Sequence, residues 1–122
     1  MRLSIEVYTR NVLACRDFYI RHLNFVVKYE VDGFVVLQSS QNAGYELMFC
    51  IPESPFVNKV FHPEFSGYGV ILQVEVTNVE MDYEKFLSHN IPIVVPLVKE
   101  AVNGYHFTIR DPANMLIDLV QF

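Results

Sequence analysis

Acidic side chains set into apolar, strand-like runs are the residues of this chain best placed to do chemistry. Asp118 is bracketed by Ile117 and Leu119. A carboxylate in such a run is there for a partner or a ligand, because burying it unpaired is costly. Side chains alternate across a strand, so Ser4, Glu6 and Tyr8 share one face of residues 3–9, and Ile71, Gln73 and Glu75 share one face of residues 69–76. In residues 105–110, Tyr105, Phe107 and Ile109 form the more apolar face, which leaves His106, Thr108 and Arg110 on the other. Plain structural readings stand beside these. Glu6 and Glu75 fit solvated strand ends, Tyr8 and Tyr45 fit core aromatics, and His106 fits a hydrogen-bonded structural imidazole. Other chemistries leave no trace: there is no glycine-rich phosphate loop, no His-Glu-x-x-His and no Gly-x-Ser-x-Gly.

The elements that position these groups follow from periodicity. Residues 3–9 alternate with period two and read as a strand, whereas Val12, Cys15, Phe18, Tyr19 and Leu23 recur at helical spacing. Asn24 then suits a left-handed helix end. Strands over 25–31 and 34–38 flank Asp32-Gly33, a tight-hairpin signal in which both residues tolerate positive φ. A further strand runs from Tyr45 to Ile51. Residues 52–67, with Pro52, Pro55, Pro63 and Gly67, read as a surface linker. Strand 69–76 comes next, followed by a helix opened by a capping box at Thr77-Asn78-Val79-Glu80 and stopped at Asn90 and Pro92. Strands at 93–99, 105–110 and 115–121 complete the chain, with turns at Asn103-Gly104 and Asp111-Pro112-Ala113-Asn114.

The order repeats: strand, helix, three strands, twice. Ile5-Glu6-Val7-Tyr8-Thr9 with Asn11-Val12 echoes Val74-Glu75-Val76-Thr77-Asn78-Val79. The 122 residues therefore read as one α+β domain of two βαβββ modules, about 1–51 and 68–122, joined by the linker. Neither module buries both faces of its sheet alone. With 52% hydrophobic and 19% charged residues the chain is not disordered, and a net charge of -5 disfavours nucleic acid. No apolar run spans a bilayer and the start is not a signal peptide. Cys15 and Cys50 read as reduced, buried thiols, which places the protein in the cytoplasm.

Two segments carry a family resemblance. Asn11 to Phe25 contains Arg16-Asp17-Phe18-Tyr19 and then Leu23-Asn24-Phe25, and the second segment is Arg110-Asp111-Pro112-Ala113-Asn114-Met115-Leu116-Ile117-Asp118-Leu119. With the repeat, they resemble the glyoxalase / bleomycin-resistance / extradiol-dioxygenase superfamily, the vicinal oxygen chelate proteins. Asn24 stands where that family commonly has glycine. The resemblance implies an open, barrel-like sheet enclosing a cleft, and frequently a homodimer.

It also implies metal-ligand positions on the first and last strands of each module. These fall on Ser4, Glu46, Ile71 (or Gln73 after a two-residue shift) and Asp118. Two carboxylates without imidazole suit zinc, iron or nickel poorly, so no cofactor is expected. A bound ion would be magnesium or manganese on Glu46, Asp118 and Gln73.

The family register turns Glu6, Glu46, Glu75 and Asp118 toward the cleft, with Tyr8, Gln73, His106 and Arg110. Glu46 paired with Arg110 is the structural alternative. Such an acidic cleft attracts cations, and Tyr8, Tyr45 and Tyr68 are available for stacking. The resulting expectation is a non-enzymatic protein that sequesters an amphipathic or cationic small molecule. The alternative is a metal-dependent lyase, isomerase or epimerase holding its ion on Glu46 and Asp118, and the third reading is an interaction module with a vestigial cleft.

Overall fold

A computed structural model describes residues 1–122. The repeat is plain in the element order: β1 (Leu3–Tyr8), α1 (Val12–His22), β2 (Phe25–Val31), β3 (Phe34–Ser39) and β4 (Tyr45–Cys50), then β5 (Ile71–Glu75), α2 (Val79–Ser88), β6 (Ile93–Glu100), β7 (Gly104–Arg110) and β8 (Leu116–Gln121). The chain forms two compact units, Met1–Ser66 and Gly67–Phe122. Each holds one four-stranded mixed sheet, ordered β1-β4-β3-β2 in the first and β5-β8-β7-β6 in the second. In both, the first and last strands of the module run parallel and the other neighbours are antiparallel. This is the α+β, two-module βαβββ fold expected from the sequence.

One face of each sheet takes the helix. In the first unit Tyr19 of α1 meets Phe25 edge-on and lies 5.5 Å from Phe49, over buried Val35 and Leu37. In the second, Phe107 takes Tyr83 at 5.0 Å and Phe86 at 5.8 Å from α2, with Ile109, Ile117 and Leu119 fully buried beside it. Because side chains alternate, the residues between these core positions share the opposite face. In the first sheet that face carries the rows Ser4–Glu46–Gln38, Glu6–Met48–Val36–Tyr29 and Tyr8–Cys50–Phe34–Val31. In the second it carries Gln73–Asp118–Thr108–Val95 and Val120–His106–Val98, with Glu75 beside Val120.

The structure corrects several local expectations. Asn78, not Thr77, caps α2, its side chain accepting from the Met81 amide at 3.1 Å. Glu80 accepts from the Tyr105 hydroxyl instead of closing a capping box. Both residues 77 and 78 are good caps, and the chain uses the second. In the Asp32-Gly33 turn only Gly33 takes positive φ, at 77°. Asn24 and Asn90 do end their helices in the left-handed region, each at φ 58°. Strand β5 begins at Ile71, two residues later than expected, after Gly69 at φ 83°. Residues 52–66 fold back on the first unit: the Phe65 amide donates to the Tyr8 carbonyl at 2.8 Å, and Glu64 accepts from the Arg10 amide at 2.6 Å.

Candidate functional site

Glu46 is buried on the helix-free face of the first sheet, and its carboxylate is already claimed. Ser4, its register partner on β1, donates to Oε1 at 3.0 Å, and Arg2 Nη1 reaches Oε2 at 3.1 Å. Lys28 Nζ donates to the same Oε2. Lys28 gets there because β2 bulges: pairing with β3 passes from Val27↔Leu37 directly to Tyr29↔Val36, leaving Lys28 as the extra residue. The Lys28 hydrogen bond, with Ser4 and Arg2 assisting, holds the Glu46 carboxyl below the ordinary range against its burial. The pairing of Glu46 with Arg110 considered from sequence is replaced by partners from its own unit. Arg110 spends its guanidinium on the carbonyls of Asn114, at 2.6 Å, and Gly67, at 3.3 Å, so it braces a turn.

The second unit treats Asp118 in parallel fashion. Its Oδ1 lies 2.7 Å from His106 Nδ1 and accepts from the Thr108 hydroxyl at 2.9 Å. His106 Nε2 is buried 3.3 Å from Glu100 Oε2 but is not aligned for a hydrogen bond. Above all the Asp118 hydrogen bond, opposed by desolvation, raises the His106 pKa. Gln73 is the register partner of Asp118, as Ser4 is of Glu46, so the two-residue shift applies and Ile71 pairs with Leu116. Gln73 and Asp118 line one hollow of about 400 Å³ with Ile71, Val102, Asn103 and Phe122. Glu75 is exposed and makes no ion pair.

A second hollow lies on the helix-free face of the first sheet. Glu6, Tyr29, Val31, Phe34 and Cys50 form its sheet side. The turn at Asp32 and Gly33 and the segment Ser54, Phe56 and Val57 complete it, around about 550 Å³. That size suits a small organic ligand. Its walls are mainly apolar and aromatic, with the Glu6 and Asp32 carboxylates as the charged groups. Tyr8 lies beneath: its hydroxyl donates to Glu6 and its ring stacks on Phe61 with centroids 6.1 Å apart. Burial first, and then the bond to Glu6, raises the Tyr8 pKa. Burial likewise raises the Cys50 thiol, and Cys15 and Cys50 are both buried and form no disulfide. Tyr45 and Tyr68 are largely exposed and line neither hollow.

The metal positions implied by the resemblance are therefore Ser4, Glu46, Gln73 and Asp118, and these residues do not fit a divalent ion. Ser4 offers a weak donor and already bonds Glu46, the Glu46 carboxylate is met by two cationic side chains, and Asp118 Oδ1 takes two hydrogen bonds. No three His, Cys, Asp or Glu side chains cluster to hold a metal. Sequence reasoning missed Lys28, Arg2 and the walls Tyr29, Phe34 and Phe56. The alternating 105–110 pattern did place Thr108 on the right face, but nothing local marks the bulge at Lys28.

Comparison with known proteins agrees with this architecture. The model of the Glyoxalase/Bleomycin resistance protein/Dioxygenase superfamily matches residues 3–119. No curated protein matches the chain in sequence. Among solved structures, a glyoxalase/bleomycin resistance protein/dioxygenase from Nocardioides superposes with a TM-score of 0.79 at 18% identity, over 100% of this chain and 83% of the other. TnmS3, an antibiotic binding protein from a Streptomyces species, gives 0.74 at 17% identity, over 99% and 94%. A lactoylglutathione lyase from Agrobacterium tumefaciens gives 0.74 at 17% identity, over 99% and 92%. At these identities the likeness is one of fold. No helix is long and apolar enough to cross a membrane.

Proposed function

We propose that this chain, which belongs to the glyoxalase/bleomycin resistance/dioxygenase superfamily, is a small-molecule binding protein that sequesters an amphipathic, cationic compound. The observation that carries the reading is the hollow of about 550 Å³ on the first sheet, lined by Tyr29, Phe34 and Phe56 with the Glu6 carboxylate at its edge. An aromatic, apolar pocket with one or two acids at its edge is built to take a flat or greasy body bearing a positive charge. Glu6 is held in place by the Tyr8 hydroxyl, so part of the cost of orienting it is met before the ligand arrives. The fold likeness to an antibiotic binding protein supports the ligand class.

The lyase or isomerase alternative needs an ion on Glu46 and Asp118, and both carboxylates are committed to side chains of their own unit. The reading includes a homodimer. Ile71, Val95 and Val98 leave apolar surface open on the helix-free face of the second sheet, which supports a covering copy. Two buried thiols outside any disulfide are in keeping with a reducing cytoplasm.

Isothermal titration tests the proposal, using a cationic glycopeptide antibiotic, an aryl-alkyl ammonium compound and the neutral alcohol of the same shape. Binding of a cationic member, weakened by Phe34→Ala, is the expected result. Failure of every cationic probe to bind would count against the reading, and sedimentation equilibrium checks the dimer.

A further inference from the structure

We propose that this chain carries its own cations at the carboxylate where the family resemblance would seat a metal ion, with the Lys28 ammonium and the Arg2 guanidinium taking the ion's electrostatic place on Glu46. Three donors converge on one buried carboxylate: Ser4 on Oε1, and Arg2 and Lys28 on Oε2. They come from β1, from the residue pair ahead of it, and from β2, whereas Glu46 sits on β4. The cluster thus ties both outer strands of the sheet to an inner one, the mechanical task a structural ion performs.

The bulge is what makes this possible. Neighbouring strands lie about 4.8 Å apart, so a β2 side chain must cross about 10 Å to meet β4. The extra residue at position 28 turns a long, flexible lysine onto that path. Charge then decides the competition. One carboxylate between two cations leaves a local surplus of positive charge, which repels a divalent ion instead of attracting it. In the second unit, the His106 and Thr108 hydrogen bonds to Asp118 leave that carboxylate similarly engaged.

The experiment uses the full chain purified without chelator. Elemental analysis for Mg, Mn, Fe, Ni and Zn should find only substoichiometric metal, and the melting temperature should be the same with EDTA as with added Mn²⁺. Lys28→Met should melt at a lower temperature, Lys28→Arg should retain stability, and Glu46→Gln placed in the Lys28→Met background should recover most of the loss. If Lys28→Met does not fold, the metal measurements and the Lys28→Arg and Glu46→Gln variants still decide. Stoichiometric metal that disappears in Glu46→Gln, or a Lys28→Met protein melting with the parent, overturns the proposal. Neither result touches ligand binding at Glu6, and a failed ligand titration leaves this inference standing.

Discussion

Replacing Glu6 by glutamine should separate charge recognition from shape recognition in the first-sheet pocket. Glutamine keeps the volume and an acceptor oxygen for the Tyr8 hydroxyl, so the substitution removes charge and little else. A ligand cation about 4 Å from the carboxylate gains about 4 kcal/mol at an effective dielectric near 20. Glu6 is an exposed residue at the edge of the hollow, so water and salt reduce that figure substantially. About 2 kcal/mol, within the range of a charge-assisted hydrogen bond, is the reasoned value. It corresponds to a loss of about 30-fold in Kd. Titration calorimetry of parent and Glu6→Gln against the aryl-alkyl ammonium probe and its neutral alcohol reads it directly. The cation should lose affinity and the alcohol should hold within about twofold, and the gap should shrink as salt rises, because the screening length is about 10 Å at 0.1 M. Equal losses for both probes, or no loss for either, would refute the assignment of Glu6 as the charge-selecting group.

Three further outcomes follow from the geometry. Phe107→Ala empties a fully buried site between Tyr83 and Phe86 and should cost about 3–5 kcal/mol in urea denaturation, with the second unit losing order first by hydrogen exchange. Because the folded protein raises the His106 pKa above its ordinary 6.5, the charged imidazole's contribution is complete below 6.5 and is lost as pH climbs through the raised value. Melting temperature should therefore fall with pH across that window in the parent, and the slope should flatten in His106→Gln; an unchanged slope would show that the Asp118 pairing is not the cause. Gly33→Ala puts a side chain at φ 77° with its Cβ 2.9 Å from Ile51, which should cost about 1–2 kcal/mol and disturb the adjoining pocket wall. Chemical denaturation and the probe's affinity measure the two effects separately.

The architecture was legible because it rests on local signals repeated twice. Alternation marked the strands, helical spacing marked α1 and α2, and the asparagines at 24 and 90 hold the left-handed geometry that their chemistry tolerates. The cap of α2 falls one residue later than expected for a local reason too: Thr77 and Asn78 are both good caps, so residue type alone does not choose between them.

The site was legible in a different measure. Alternation, read in the register the family resemblance implies, placed Glu6, Glu46, His106 and Asp118 on the faces opposite the helices, since a strand has only two faces. What each carboxylate does there depends on which cation arrives from another strand, and that is not a property of any short window. Lys28 reads as one polar residue in an apolar run, and its meaning comes entirely from an irregularity in pairing between β2 and β3. Arg2 lies before the first strand, where periodicity says nothing. Arg110 shows the converse: its face was read correctly, yet its guanidinium reaches back to the Asn114 and Gly67 carbonyls, because a long side chain answers to the nearest unsatisfied acceptor. In this fold, then, alternation dictates which acids leave the core, and the partners that decide between a metal ligand, a ligand-binding charge and a buried ion pair are set by pairing that brings distant parts of the sequence together, as Ser4 and Lys28 reach Glu46 and His106 and Thr108 reach Asp118. Glu6, whose only bonded neighbour is a neutral hydroxyl, keeps its charge available, whereas Glu46 has spent it.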